Sequence, residues 1–120
     1  MALSVDDLLI GAPRLRTKSV NYGPGLDFHL HSFSAGVYRN EMLRLSESED
    51  NATDDDSGMY DEVVIRLAMK LISGENFEAT PEQVIAFREK LDEGVIRSIV
   101  HDGLDFNRGA DDLAEAAKKS

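Results

Sequence analysis

The chain has no cysteine and no tryptophan among its 120 residues, and it has only three prolines. Without cysteine, disulfides and thiolate metal sites are excluded, which suits a reducing compartment. No apolar run approaches the roughly 20 residues that span a bilayer, and the N-terminus lacks the basic start and apolar stretch of a signal peptide. We therefore expect a cytoplasmic protein that acts without a membrane.

Basic residues are also scarce, with 13 Lys and Arg against 23 Asp and Glu, for a net charge of −10. Nucleic-acid binding needs a concentrated basic surface, so this balance argues against a nucleic-acid ligand and favours protein partners. Eight of the acidic residues lie between Glu47 and Glu62, where there is no Lys or Arg. Their mutual repulsion and the shortage of apolar residues predict a flexible acidic loop over residues 47–61.

The longest apolar run, residues 63–72, predicts the central helix of the fold. Val63, Leu67 and Leu71 recur at helical spacing and form one apolar stripe. Ile65 and Met69 fall outside that stripe. Because a small domain has few elements to cover every face of such a helix, we expect these two side chains to contribute to a protein interface, and the chain to form a homo-oligomer.

The N-terminal part divides into a segment at residues 1–13, with a short helix capped by Ser4, and a β-hairpin at residues 14–31. The turn of the hairpin is predicted at Gly23-Pro24-Gly25, and apolar residues alternate with polar ones after it. A lone hairpin is marginally stable, so its apolar face should pack on the helices or extend a sheet of a partner. The residues of that face, also candidates for a protein interface, are Leu26, Phe28 and Leu30.

Helical signals fill the rest of the chain. An amphipathic pattern predicts a helix at about 35–46, and Thr80, Pro81 and Gln83 form a capping box with proline at the first helical position. Asp92 is a candidate cap for a further helix that Gly103 would end. The apolar face predicted for the helix after Thr80 is Val84, Ile85, Phe87 and Leu91. With a short Ala-rich helix at 111–119, residues 62–119 are helical and residues 14–120 form one domain. The predicted fold is mainly α (small α+β), an N-terminal β-hairpin followed by a compact bundle of four to five helices.

Few residues suggest chemistry. His29 and His31 share one face of a predicted strand and offer two zinc ligands, but no pattern supplies a third. The Asp54-Asp55-Asp56 run lacks the ligand spacing of a calcium loop. No carboxylate is marked as lying beside a nucleophile or base, so we predict no catalytic site, no metal and no cofactor.

The order of these elements resembles that of the tail assembly chaperones of long-tailed, siphovirus-type bacteriophages. Residues 28–36 (FHLHSFSAG) resemble the strand and "L-S-A-G-E-R" junction of that family. Residues 77–90 (FEATPEQVIAFREK) resemble its "L-F-T-D-E-D-V-E-A-L-R-E-K" segment, and residues 66–72 (RLAMKLI) match an apolar helix between them. Val37 and Tyr38 stand where the family has a charged pair, and the acidic loop is longer.

The resemblance implies a non-enzymatic protein of the host cytoplasm that binds the tape measure protein and recruits major tail tube subunits during tail morphogenesis. Such a protein is absent from the mature virion. The alternative is a structural head-tail connector or tail completion subunit that the virion retains; a regulatory adaptor or antitoxin-like protein comes third and an enzyme last. Members of the family are often made in two forms by a −1 ribosomal frameshift, and consecutive lysine codons, as at Lys118-Lys119, are A-rich, which is compatible with such slippage. The same two lysines also suit the C-terminal end of a helix.

Overall fold

The protein is described by a computed structural model over residues 4–11, 15–50 and 57–109. Within these ranges the chain forms two strands and five helices, so the predicted mainly α fold with an N-terminal β-hairpin is confirmed. In chain order the elements are α1 (Val5–Leu9), β1 (Thr17–Asn21), β2 (Asp27–His31), α2 (Ala35–Asp50), α3 (Ser57–Ser73), α4 (Pro81–Lys90) and α5 (Glu93–Arg108).

The hairpin forms where the alternation predicted it. Strands β1 and β2 pair antiparallel with Val20 opposite Phe28, and the chain reverses through the Gly-Pro-Gly turn. Gly23 and Gly25 have φ values of 142° and 75°, which glycine adopts without a steric cost. β2 contacts α3 and α5, and Leu30 on its inner face is fully buried. The two strands are therefore stabilised by the helices of their own chain.

Helix α3 is central, as predicted, because it contacts β2, α2, α4 and α5. These neighbours cover more of its circumference than the apolar stripe alone, and Ile65 and Met69 are only 5% and 6% exposed. The prediction that Met69 lies at an interface with another chain is wrong, since the domain buries it itself, and Ile65 has little exposed surface left. Leu30, at 0% exposure, is excluded as an interface residue for the same reason. The self-association predicted from Ile65 and Met69 loses that premise and stays a prediction.

The predicted acidic loop at 47–61 is too long. Helix α2 continues to Asp50 and helix α3 begins at Ser57, so both ends of the proposed loop are helical. The hydroxyl of Ser48 donates to the carbonyl of Leu45 at 2.8 Å, and Ser48 is buried in the last part of α2. Helix formation is cooperative, so a helix anchored by packing extends into less favourable sequence. Residues 51–56, with the whole Asp54–Asp56 run, and the predicted helix at 111–119 lie outside the described residues.

The two C-terminal helices begin as predicted. Thr80 Oγ1 accepts from the backbone N–H of Gln83 at 3.2 Å, Gln83 Oε1 accepts from Thr80 N–H at 2.9 Å, and Asp92 caps α5. Two predictions about their residues are wrong. Ile85 is 55% exposed and lies outside the core face of α4, where Val84 is buried.

The second error concerns Gly103, which was expected to end α5. The helix continues to Arg108 and ends at Gly109, whose φ of 64° is left-handed. Gly103 is inside the helix and buried against Leu71: a Cβ at this position would come within 2.7 Å of Leu71 Cδ1. Its missing side chain allows α5 to approach α3 closely, which is a packing role and not a helix stop.

Candidate protein-interaction groove

An open apolar groove lies where α2, α3, α4 and α5 approach one another. Its volume is about 660 Å³, within the range that ligand and peptide sites occupy. Ile96 and Val100 stand one turn apart on α5 and form one wall, and Ile65 contributes to the opposite one. Its apolar lining residues are Leu45, Val64, Ile65, Leu91, Ile96 and Val100. We call this surface the α3–α5 groove.

The rim of the α3–α5 groove is polar. Arg88, Glu93, Arg97 and His101 surround it, and the guanidinium of Arg97 lies 3.0 Å from the carboxylate of Glu93. Both partners of this pair are about three-quarters exposed, so it contributes little to stability and can exchange partners. In a chain of net charge −10, a rim with two arginines and one glutamate is a local exception. It favours an occupant that carries acidic groups beside its apolar ones.

Helix α4 is held in place by polar contacts of Arg66 on α3. Its guanidinium donates to the carboxylate of Glu62 at 2.9 Å and to the carbonyl of Ala79 at 2.6 Å, just before the capping box of α4. The bond to Ala79 fixes the start of α4 against α3, and the pair with Glu62, within α3, orients the guanidinium. The short connection between α4 and α5 then places Leu91 at the edge of the groove.

Helix α2 is joined to α3 by a buried ion pair. The ammonium group of Lys70 lies 2.8 Å from Glu41 Oε1, and the Glu41 side chain is only 6% exposed. Lys70 also lies 5.9 Å from the ring centre of Phe33. Because a buried carboxylate without a partner is costly, the pair fixes how α2 lies along α3.

The C-terminal end of α5, away from the groove, is fastened to the hairpin by Asn107. Its side-chain oxygen accepts from the backbone N–H of Phe33 at 2.6 Å, and its amide group donates to the carbonyls of His31 and Gly103 at 3.2 and 2.8 Å. One side chain therefore satisfies two backbone groups where β2 leads into α2 and one within α5 itself.

Arg16 closes the same end of the helix. Its guanidinium donates to the carbonyl of Phe106 at 2.9 Å and stacks over the Phe106 ring at 4.6 Å. A cation at the C-terminal end of a helix is favoured by the helix dipole. The backbone of Arg16 is tied to Ser32, whose hydroxyl accepts from its N–H at 2.7 Å. The start of the hairpin is thereby anchored to the end of α5.

Tyr22 joins the hairpin to the middle of α5. Its hydroxyl donates to Asp102 Oδ2 at 2.6 Å, and its ring lies 6.2 Å from that of Phe28. Burial disfavours the phenolate, and the hydrogen bond to Asp102 and the charge of Asp102 do so further, so the pKa of Tyr22 lies well above its ordinary value of 10.0. This contact holds the hairpin against the middle of α5.

The structure separates the residues predicted for an interface. Leu30 and Met69 are buried in the core, and Leu26 and Phe28 are half-buried against it. Only Ile65 borders the α3–α5 groove, in the wall opposite Ile96 and Val100. The rest of the groove was not predicted, because its residues come from several separate helices and their patterns are those of ordinary core positions.

No metal cluster is formed in the part of the chain that the structure describes, where no three His, Cys, Asp or Glu side chains converge. His29 contacts the hydroxyl of Ser19 across the strand pair at 3.1 Å. Buried side-chain polar atoms of the described residues all have a hydrogen-bond partner, so none points to a missing ligand.

None of the described helices has the length and apolar character needed to cross a membrane. Comparisons with protein-family models, with curated proteins and with solved structures each gave no match. The geometry of the α3–α5 groove and the resemblance of the sequence therefore carry the functional argument.

Proposed function

We propose that the protein is a tail assembly chaperone that binds the tape measure protein of a siphovirus-type bacteriophage and keeps it soluble during tail morphogenesis. The α3–α5 groove is the observation that carries this proposal, together with the order of elements that resembles the chaperone family. The groove is apolar at its floor and charged at its rim, as surfaces that receive an amphipathic helix are.

The groove and the net charge suit a protein that keeps a tape measure protein soluble. A tape measure protein is long and helical, and its apolar stripes aggregate when nothing covers them. A small protein that seats such a stripe in its groove hides the apolar surface. Its net charge of −10 gives the complex a repulsive surface that opposes aggregation. The host cytoplasm is where this work would take place.

Co-expression with the tape measure protein encoded by the same phage tests the proposal. We expect the tape measure protein to move from the insoluble to the soluble fraction and to elute with the chaperone. Val64→Asp and Val100→Asp place a charge on the groove lining and should each abolish this effect. Leu43→Asp, at a 54% exposed apolar residue of α2 that does not line the groove, is the matched control and should retain it.

Circular dichroism and thermal melts show which of the three variants remain folded, so that a loss of binding can be separated from a loss of structure. A groove variant that stays folded and still solubilises the tape measure protein would remove the groove from the mechanism. Solubilisation that none of the three variants affects would place the binding surface elsewhere on the molecule.

The alternative, a head-tail connector or tail completion subunit, differs from a chaperone in being retained in the virion. A chaperone leaves the particle, whereas a structural subunit stays at fixed stoichiometry. We expect mass spectrometry of purified virions to find no stoichiometric amount of this protein. Its retention in virions would overturn the chaperone proposal and favour the structural one.

Recruitment of the tail tube protein is a second part of the proposal and concerns a longer product. If ribosomes slip at the Lys118-Lys119 codons, the shared domain would hold the tape measure protein and the extension would bind tube subunits. Antibody to residues 4–109 should then detect a larger product in infected cells. Its absence, with no slippery A-rich run in the gene, would remove the frameshift while leaving the groove to be tested as above.

A further inference from the structure

Helix α1 exposes apolar side chains that nothing in the described part of the chain covers. Val5, Leu9 and Ile10 are 70%, 77% and 74% exposed. Val5 and Leu9 are four residues apart, so they lie on one face of the helix. Ser4 and Asp7 form a complete capping box, which favours a helical conformation despite the short length. The N-terminus therefore presents a short, formed helix with one apolar face.

The α3–α5 groove matches this helix in both polarity and charge. The groove has a volume of about 660 Å³ and an apolar lining that side chains such as Val5 and Leu9 can contact. Helix α1 carries Asp6 and Asp7 in its first turn and has no basic residue in its last. The carboxylate of Asp6, beside that apolar face, complements the arginines of the rim, at Arg88 and Arg97.

We propose that α1 of one copy docks in the α3–α5 groove of a second copy. Reciprocal docking, with each α1 in the groove of the other chain, closes the assembly as a symmetric dimer. Seating α1 removes two exposed apolar surfaces from water at once, the face of α1 and the lining of the groove. The inference concerns contacts between copies of this chain, and a partner helix that enters the groove would displace α1 from it.

The position of α1 in its own chain leaves a second copy as the proposed partner. The structure places α1 outside the groove of its own chain, since its apolar face is exposed. The cross-linking experiment below compares docking within one chain and docking between chains directly.

Engineered cysteines can test the contact directly, because the natural chain has none. A Leu9→Cys chain is mixed with a differently tagged Val100→Cys chain, and the mixture is oxidised. We expect a disulfide-linked heterodimer on a non-reducing gel. Ser73→Cys, at an exposed residue that does not line the groove, replaces Val100→Cys as the matched control and should give a much weaker band.

The double variant Leu9→Cys/Val100→Cys distinguishes docking within one chain from docking between chains. A monomeric species of altered mobility, with no cross-link in the mixture of single variants, would show α1 in its own groove and overturn the proposal. Equal cross-linking at Val100 and at Ser73 would show random collision and overturn it as well.

Sedimentation of the full chain supplies the energetic test. We expect the natural chain to dimerise at concentrations below about 100 µM, the order at which weak specific contacts fill. Leu9→Asp should raise the dissociation constant at least about tenfold without changing the circular dichroism spectrum, because Leu9 is exposed in the free chain.

A charge exchange then tests the rim. Asp6→Arg should weaken the dimer, and adding Arg88→Glu to the same chain should restore part of the lost affinity. A natural chain that stays monomeric throughout this concentration range would overturn the proposal. So would dimerisation that Leu9→Asp leaves unchanged.

Discussion

The two ends of helix α5 are built differently. At the C-terminal end, Asn107 makes three hydrogen bonds to backbone groups and Arg16 covers the last turn. At the N-terminal end, Ile96 and Val100 face an open groove, and the nearby charges of Glu93 and Arg97 are exposed. One end is joined to the hairpin by directional bonds, while the other has apolar surface and flexible charges.

This contrast separates a structural region from one available to a partner. Buried hydrogen bonds have strict geometry, so they define one arrangement of β2 against α5 and resist change. Apolar surface with long charged side chains at its edge has no such geometry and accommodates a helix in more than one register. Substitutions at the C-terminal end should therefore change stability, and substitutions at the groove should change binding.

The largest effect on stability is expected from Asn107→Ala. The buried N–H of Phe33 would lose its acceptor and two carbonyls would lose a donor, so we expect the free energy of unfolding to fall by about 3 kcal/mol. Asn40→Ala, at an exposed residue of α2, is the matched control and should be within about 0.5 kcal/mol of the natural chain. Urea unfolding followed by circular dichroism measures both, and equal stabilities would show that the C-terminal end is not fastened as described.

Gly103→Ala tests the close approach of α5 to α3. The new Cβ would lie 2.7 and 2.9 Å from the methyl groups of Leu71, which is fully buried and has no room to withdraw. We expect a loss of about 2 kcal/mol, because the overpacking outweighs the better helix propensity of alanine. Gly36→Ala, where nothing lies within 4 Å, should instead stabilise the protein by up to about 1 kcal/mol. Opposite signs in thermal melts would confirm the assignment, and equal shifts would contradict it.

Gly103 also shows which features of the fold cannot be predicted from the sequence. The helix cap at Ser4, the capping box at Thr80 and the Gly-Pro-Gly turn depend on neighbours within a few positions, so local patterns predicted them correctly. Gly103 has its role only because Leu71 packs against it. A glycine that permits close packing and a glycine that ends a helix are the same letter in a sequence.

The groove was beyond sequence inference for a related reason. Leu45, Val64 and Val100 come from three different helices, and each has the spacing of an ordinary core residue. Whether a residue at such a position is fully covered depends on how far the neighbouring helices approach. The error at Met69 had the same origin, since the stripe on α3 was identified without the elements that cover its flanks.

A smaller, pH-dependent effect on stability is expected from Tyr22, whose hydroxyl bonds to Asp102 on α5. Its pKa is raised in the folded state, so the unfolded chain loses the phenolic proton first as the pH rises. The contribution of Tyr22 to the free energy of unfolding is fully present below pH 10 and is lost as the pH rises above it. We expect the natural chain to lose stability faster than Tyr22→Phe between about pH 10 and 11.5. Parallel stability curves for the two chains over this interval would show that the phenol is not held against Asp102 as the structure places it.

The smallest effect on stability is expected at the rim of the groove, from Arg97→Ala. The pair with Glu93 is exposed on both sides, so its loss should change the free energy of unfolding by less than about 0.5 kcal/mol. Binding should respond more strongly, because removing a rim cation weakens the attraction of an acidic occupant and flattens the dependence of affinity on salt. Measuring the affinity for the partner, or the dissociation constant of the dimer, at about 50 and 300 mM salt gives this salt dependence. Arg39→Ala, at an exposed arginine on α2 that does not line the groove, removes the same charge elsewhere and is the control. If both variants change the salt dependence equally, the effect belongs to net charge alone, and the rim of the groove has no special part in recognition.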